Sequence, residues 1–123
     1  MFENKDIRIV VADDDAEVLK TLAKILKRRG YEVFPFDSPH KALDFLRQEK
    51  VDLILSDLKM PDMDGIQFLD KAKKIHPKTP FILITGYATV DTAVSAIKWG
   101  AFDYLRKPFE VKKIYEVIDK ALR

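Results

Sequence analysis

The stretch Ile7-Arg-Ile-Val-Val-Ala-Asp-Asp-Asp15 determines the fold class of this chain. Its first six residues form a short run rich in β-branched side chains, and the run ends abruptly in acidic residues, as a buried strand does. From Asp15 onward the apolar residues follow a helical period, and Gly30 ends the predicted helix. The chain therefore begins with a strand followed by a helix.

The same strand–helix unit recurs four more times along the sequence. Residues 31–36 alternate like a strand, and because Pro35 cannot donate a hydrogen bond to a neighbour, we predict an edge strand there. Ser38 and Pro39 then begin a helix as its N-cap and first-turn proline. The remaining predicted strands span 51–56, 80–84 and 101–106, and the remaining helices span 66–75, 90–99 and 110–122.

Strict alternation of strands and helices predicts an α/β fold with a parallel sheet and helices on both of its faces. The proline-marked second strand at an edge favours the strand order 2-1-3-4-5, which is the doubly wound, flavodoxin-like arrangement. We expect residues 1–123 to form a single domain with five strands and five helices.

Composition excludes several classes of function. The chain has no cysteine, which excludes a disulfide scaffold, a thiolate metal site and a cysteine nucleophile. Its net charge of +2 is too balanced to indicate direct binding of nucleic acid. The longest apolar runs have four residues, whereas a membrane helix needs ~20. The composition predicts a cytoplasmic globular protein with no membrane association.

Polar residues follow four of the five predicted strands. Asp13 and Asp14 follow the first strand, Asp57 the third, Thr85 the fourth and Lys107 the fifth. Because ligands of open parallel sheets bind beyond the carboxyl ends of the strands, we expect these side chains to form one site. A single acidic residue after a strand often lies in a solvated turn or caps a helix, and we predict that Asp15 is a helix N-cap. The coincidence of polar residues at four strand ends nevertheless favours a site.

A cluster of carboxylates needs a counter-charge, because two unit charges at 4 Å repel by about 4 kcal/mol at an effective dielectric constant near 20. Oxygen ligands without nearby histidine or cysteine favour Mg²⁺. A carboxylate flanked by Mg²⁺, the Lys107 ammonium and the Thr85 hydroxyl suits transfer of a phosphoryl group onto an aspartate. Asp57 is the best candidate acceptor, although the pattern alone determines only weakly which carboxylate accepts.

Three residues outside this cluster have less specific interpretations. His40 and His76 lie in or beside helix ends, and we predict surface positions for both. Trp99 precedes the helix-ending Gly100, and the sequence fits equally well a residue at the edge of the core or one exposed to a partner.

The chain resembles the receiver domain of two-component response regulators along its whole length. The resemblance rests on four motifs in order, which are Val10-Val-Ala-Asp-Asp-Asp15, Asp57-Leu-Lys-Met-Pro-Asp-Met-Asp-Gly65, Ile84-Thr-Gly86 and Lys107-Pro-Phe109. The segment 88–105 most resembles receivers of nitrogen-regulator-type transcription activators. Each motif alone is unspecific, but the four together at this spacing are specific.

The resemblance implies that Asp57 accepts a phosphoryl group from a histidine of a sensor kinase or phosphotransfer protein. It further implies that Asp14 and Asp57 bind Mg²⁺ directly, with Mn²⁺ able to substitute, and that the backbone carbonyl of Lys59 is a third ligand. Asp13 acts mainly through a metal-bound water on this interpretation. The domain is then not a turnover enzyme, since it catalyses only its own phosphorylation and dephosphorylation.

The resemblance also implies a conformational switch. Lys107 pairs with the phosphoryl oxygens and precedes a cis bond to Pro108, and Gly86 meets the need for a small residue beside the site. Thr85 and Tyr104 match the switch pair of the family, in which the hydroxyl moves to the phosphoryl group and the aromatic ring swings inward. The responding face consists of the fourth helix, the fifth strand and the fifth helix, through which a phosphorylated homodimer is expected.

Tyr87 lies two residues beyond Thr85, as Lys59 does beyond Asp57, at positions that in the family tune hydrolysis of the aspartyl phosphate. The hypothesis for Tyr87 is that its bulk obstructs the attacking water and prolongs the phosphorylated state.

The main alternative is a haloacid-dehalogenase-type phosphatase, which also uses an aspartate, Mg²⁺ and a lysine. Asp13 and Asp15 imitate its nucleophile pair, but Ala16 follows where threonine or valine is expected, and no cap domain fits in 123 residues. A flavin-binding module is disfavoured because the acidic residues 13–15 would repel its phosphate. A receiver that only binds partners is disfavoured by the complete set of site residues.

Overall fold

The computed structural model of the protein describes residues 6–86 and 88–123, through which strands and helices alternate. The strands are β1 (Arg8–Ala12), β2 (Glu32–Phe36), β3 (Leu53–Ser56), β4 (Phe81–Thr85) and β5 (Asp103–Arg106). The helices are α1 (Ala16–Arg28), α2 (Pro39–Gln48), α3 (Gly65–Ile75), α4 (Val90–Lys98) and α5 (Val111–Ala121).

All five strands form one parallel sheet in the order β2-β1-β3-β4-β5, which confirms the predicted topology. The edge position of β2 is also confirmed. Glu32 N–H and Phe36 C=O form hydrogen bonds on the side of β1. Because successive residues of a strand direct their backbone polar groups to opposite sides, those of Pro35 face the open edge, where its missing N–H leaves no gap in the ladder.

Two apolar cores lie on opposite faces of the sheet, because successive strand residues point to opposite sides. Helices α1 and α5 cover one face, and α2, α3 and α4 cover the other. Fully buried residues of the two cores include Ile9, Leu26 and Ile118 on the first face and Val10, Phe68 and Ala96 on the second.

Capping residues set the helix starts as the sequence predicts. The Asp15 carboxylate accepts hydrogen bonds from the N–H groups of Glu17 and Val18, and Ser38 caps α2 with Pro39 in its first turn. All five predicted strands begin one or two residues too early, and the predicted fourth strand also ends one residue too early, because Thr85 is the last residue of β4.

The hypothesis on Tyr87 concerns a residue that lies outside the described part of the chain. Among residues 6–86 and 88–123, no helix combines the length and the apolar character needed to cross a bilayer.

Candidate functional site

Three carboxylates meet at the carboxyl end of the sheet. Because Ala12 of β1 lies beside Ser56 of β3 in register, the next residues along each strand emerge at the same level. One oxygen from each of Asp13, Asp14 and Asp57 lies within 4.8 Å of the others. Asp13 and Asp57 are only 1% and 7% exposed, whereas Asp14 is exposed.

Backbone N–H groups orient the two buried carboxylates. Asp13 Oδ1 accepts a hydrogen bond of 2.9 Å from the N–H of Asp15, the residue that caps α1. Asp57 Oδ1 accepts bonds of 2.7 Å from Leu58 N–H and 3.4 Å from Lys59 N–H. Each carboxylate is therefore held by the turn that follows its own strand.

Lys107 brings a positive charge into the same cluster. Its Nζ donates to Asp13 Oδ2 at 2.9 Å and to Asp57 Oδ2 at 3.2 Å. The backbone fixes this reach, because Lys107 N–H bonds to the carbonyl of Thr85 at 2.8 Å and the following bond to Pro108 is cis. The lysine thus bridges the carboxylates that follow β1 and β3.

The pKa values of this cluster reflect burial opposed by pairing. Burial raises the pKa of the Asp13 carboxyl, and the hydrogen bonds from Lys107 and Asp15 offset only part of that rise. Burial alone would lower the pKa of Lys107, but its hydrogen bonds and charge attraction to Asp13 and Asp57 outweigh burial, so that this pKa is raised. The ammonium is therefore fully charged at neutral pH.

One ammonium does not balance three carboxylates, so the ionised cluster carries an excess of two negative charges. Oxygen donors in this number and excess charge are what a hard divalent cation requires. The residues present therefore fit a hard divalent cation, the class of ion to which Mg²⁺ belongs.

Gly65 allows the loop after Asp57 to pack closely. Its N–H donates to the Leu58 carbonyl at 2.6 Å, and a Cβ added to it would lie 2.5 Å from the Asp57 carbonyl oxygen and 2.8 Å from Leu58 Cα. Asp64, immediately before it, begins α3 through a reciprocal capping box with Gln67. The start of α3 is thus built directly against the backbone of Asp57.

The remaining predicted site residues lie nearby in different surroundings. Thr85 is fully buried at the end of β4. Lys59 and Gly86 line the same cavity as Asp57, and a Cβ added to Gly86 would lie 3.9 Å from Lys107 Cβ, an ordinary contact distance. Tyr104 is half-buried on β5, and its hydroxyl bonds to Thr92 Oγ1 of α4 at 2.6 Å.

The cavity over the carboxylates has a volume of about 730 Å³ and includes Asp14, Asp57 and Lys107 in its lining. A larger groove of about 980 Å³ runs between α1 and β2, with Leu19 and Phe36 in its lining and lysines along its rim. The larger groove contains none of the site carboxylates, so we place the chemistry in the smaller cavity.

The residues outside the cluster are now placed as well. His40 is exposed, as predicted. His76 is half-buried instead, and its Nε2 lies 2.7 Å from the carbonyl of Leu46 and 3.1 Å from that of Glu49, so it joins the ends of α2 and α3. Trp99 is 50% exposed at the end of α4, which favours the interpretation as a residue open to partners.

Sequence reasoning did not identify the roles of two residues, Thr92 and Gly65. Thr92 contacts the predicted switch residue Tyr104, and the available signal was its position three residues after Thr89, the spacing of a capping box. Gly65 closes the acceptor loop, but only the folded backbone reveals how near it comes to Asp57.

Comparisons with known proteins agree with this arrangement. Residues 9–119 match the family described as response regulator receiver domain. The DNA-binding transcriptional regulator NtrC of Klebsiella pneumoniae is 38% identical over 112 residues, an alignment that covers 91% of this chain and 24% of that protein. The chain thus spans about a quarter of the length of the curated relatives it matches.

Two solved structures are similar over nearly the whole chain. The beryllofluoride-activated NtrC4 receiver domain dimer has a TM-score of 0.89 at 36% identity, covering 94% of this chain and 95% of that one. A response regulator from Burkholderia pseudomallei, with a phosphorylated aspartic acid and a calcium ion, has a TM-score of 0.86 at 35% identity, covering 96% of this chain and 67% of that one.

Proposed function

This chain belongs to the response regulator receiver domain family, and we propose that Asp57 is the residue on which it is phosphorylated. As a receiver domain it is a signalling module that acts as a phosphorylation-dependent switch. The family match gives no support to the haloacid-dehalogenase-type alternative. One observation carries the proposal for Asp57: the Lys107 ammonium donates hydrogen bonds to both Asp57 and Asp13 and so bridges the two carboxylates.

The proposed reaction moves one phosphoryl group between two side chains. An oxygen of Asp57 forms a bond to phosphorus while the bond from phosphorus to a histidine nitrogen of the donor breaks. That nitrogen keeps the electron pair of the broken bond. The other ring nitrogen of the phosphohistidine carries a proton throughout, so the leaving group is a neutral imidazole. Lys107 stabilises the negative charge on the phosphoryl oxygens, because its ammonium already lies 3.2 Å from Asp57.

Mg²⁺ is the proposed cofactor, with Mn²⁺ as a substitute. Asp13, Asp14 and Asp57 are close enough to hold one ion, and the resemblance adds the Lys59 carbonyl as a ligand. When bound, the ion neutralises charge on the phosphoryl oxygens. The chain's own contribution is to orient the carboxylates through the N–H groups of Asp15 and Leu58.

The proposed partners are a phosphodonor protein and a second copy of the chain. A sensor histidine kinase or a phosphotransfer protein supplies the phosphohistidine. Phosphorylation then changes the face formed by α4, β5 and α5, where apolar side chains are exposed and a homodimer can form. The exposed apolar residues of this face are Val90, Val94, Ile97, Trp99, Phe102 and Val111.

The proposal is tested by incubating the protein with phosphoramidate and Mg²⁺ and measuring the intact mass. We expect a single phosphoryl adduct on the wild type, none on Asp57→Asn and none after chelation of the metal. Asp62→Asn is the matched control, since it makes the same chemical change on an exposed residue of the same loop.

An adduct that persists on Asp57→Asn, or a wild type that takes up no phosphoryl group, contradicts the assignment. Sustained turnover of a phosphomonoester would instead support the phosphatase alternative, because a receiver catalyses only its own phosphorylation and dephosphorylation.

A further inference from the structure

Tyr104 is joined to the first turn of α4 by a short hydrogen bond. Its hydroxyl lies 2.6 Å from Thr92 Oγ1, and both residues are half-buried. Thr92 is also part of the capping box of α4, in which Thr89 Oγ1 accepts from Thr92 N–H at 3.0 Å and Thr92 Oγ1 accepts from Thr89 N–H at 2.9 Å. One hydroxyl therefore serves both the helix cap and the contact to β5.

The N–H, the carbonyl and the hydroxyl of Thr89 lie around Thr92 Oγ1 together with the Tyr104 hydroxyl. The hydroxyl has one proton and two lone pairs. Its proton fits the Thr89 carbonyl, a pure acceptor 3.0 Å away, and one lone pair accepts from Thr89 N–H. Thr89 Oγ1 also lies 3.0 Å from Thr92 Oγ1, so the hydroxyls of Thr89 and Tyr104 share the remaining bonding capacity of Thr92 Oγ1. Removing either hydroxyl of the Tyr104–Thr92 pair abolishes their bond, whichever of the two donates.

The helix that carries this contact has little else to fix it. Of its nine residues, Ala96 alone is buried among the described residues of α4, while Val90, Val94 and Ile97 are 59–79% exposed. Because apolar burial contributes little here, the capping box orders the first turn of α4, and the bond from Thr92 to the Tyr104 hydroxyl joins that turn to the sheet.

We infer that Thr92 is a positioning residue that holds Tyr104 in the conformation seen and couples release of Tyr104 to the cap of α4. The inference rests on the proposed function, in which Tyr104 is the aromatic residue of the switch. A swing of the ring between its two positions carries the hydroxyl away from Thr92 and breaks the bond, and the same break removes a partner from Thr92 Oγ1. We take the half-buried position seen here as that of the unphosphorylated state, so that the bond favours this state.

The expected change in affinity for a phosphoryl analogue follows from thermodynamic linkage. A ligand that favours the released state binds more tightly when that state is more populated. Loss of one neutral hydrogen bond shifts such an equilibrium about two- to tenfold. A stable phosphoryl analogue should therefore bind more tightly by that factor once the Tyr104–Thr92 bond is absent.

The test is a titration of the protein with beryllofluoride in excess Mg²⁺, followed by the fluorescence of Trp99, the single tryptophan at the end of α4. We expect Tyr104→Phe and Thr92→Val each to lower the half-saturating concentration about two- to tenfold. The double variant should show no gain beyond that of Thr92→Val, since Thr92→Val has already removed the bond that Tyr104→Phe removes. Thr92→Ser, which keeps the hydroxyl, should restore the wild-type value.

Thr89→Ala separates the contact from helix capping, because it removes the cap oxygen and leaves the Thr92 hydroxyl in place. An unchanged half-saturating concentration in Tyr104→Phe overturns the inference, as do additive effects in the double variant. So does a shift in Thr89→Ala that equals the shift in Thr92→Val. Failure of the wild type to bind beryllofluoride would instead refute the proposed function.

Discussion

The helices α4 and α5 flank the same strand but are held in opposite ways. Helix α5 has no side-chain cap and buries Ile114, Val117 and Ile118 against the core. Helix α4 has a complete capping box, and Ala96 is its one buried residue among those described. Packing therefore fixes α5, whereas a few hydrogen bonds at one end fix α4.

Polar contacts add a second difference. Helix α5 is tied to α1, since Tyr115 donates to the Ile25 carbonyl at 2.7 Å and Asp119 pairs with Arg29 at 2.8 Å. Helix α4 is tied to β5 through Tyr104 and Thr92. The comparison predicts that α4 is the part of the proposed responding face that moves more easily, because hydrogen bonds are exchanged at lower cost than a packed core is opened.

The largest expected effect tests this contrast with one chemical change at two places. Ile118→Ala in α5 should cost about 2–5 kcal/mol of the free energy of unfolding, because the side chain is fully buried and a cavity remains. Ile97→Ala in α4 should change it by less than about 0.5 kcal/mol, because that side chain is 59% exposed.

Urea unfolding of the two variants measures both values. Similar costs for Ile97→Ala and Ile118→Ala would mean that α4 is packed as firmly as α5. The contrast between the helices would then be wrong, and with it the reason for placing the switch at α4.

The second prediction compares a tightly packed glycine of the site, Gly65, with a loosely packed one, Gly86. Gly65→Ala should destabilise the fold by about 1–3 kcal/mol, since its Cβ meets backbone atoms of Asp57 and Leu58 that cannot move aside. Gly86→Ala is the matched control and should change the free energy of unfolding by less than about 0.5 kcal/mol, because the added Cβ would be in ordinary van der Waals contact with Lys107.

Thermal unfolding of the two alanine variants, measured by circular dichroism, compares them directly. Equal losses would show that the loop before α4 is as tightly built as the loop before α3. The structure predicts that a side chain is not tolerated at Gly65 in the acceptor loop and that there is room for one at Gly86.

The sequence predicted the fold and the carboxylate site because both depend on local patterns. Apolar periods show where strands and helices lie, and the parallel order then brings Asp13, Asp57 and Lys107 to one edge without further information. The predicted ends of the strands differ from the observed ones by one or two residues, because the hydrogen bonds that end a ladder come from neighbouring strands.

Contacts between separate elements could not be predicted in this way. The Tyr104–Thr92 bond depends on the register of β5 against β4 and on where α4 starts, which no periodicity encodes. The same holds for His76, whose ring lies beside the end of α2 only because α2 and α3 are neighbours on one face.

The smallest expected effect concerns the Asp13 carboxylate, whose burial lowers the stability of the folded protein. Asp13 is as buried as the core of α5, yet its raised pKa means that the folded state disfavours the ionised carboxyl. In metal-free protein at neutral pH, Asp13→Asn should raise Tm by a few degrees, the size of a change of about 1 kcal/mol. Asp14→Asn, on the exposed member of the cluster, should raise Tm less.

The pH dependence gives this prediction its sign. A carboxyl with a raised folded pKa costs nothing below its ordinary value of 3.8, where it is protonated in both states, and it costs the full amount above its folded pKa. The Tm advantage of Asp13→Asn should therefore be absent at strongly acidic pH and grow as the pH rises. Excess Mg²⁺ should reduce it, since the ion stabilises the wild type more. A variant less stable than the wild type at neutral pH without metal would mean that Asp13 gains more from Lys107 than it loses by burial, and that the buried site contributes to the fold as the α5 core does.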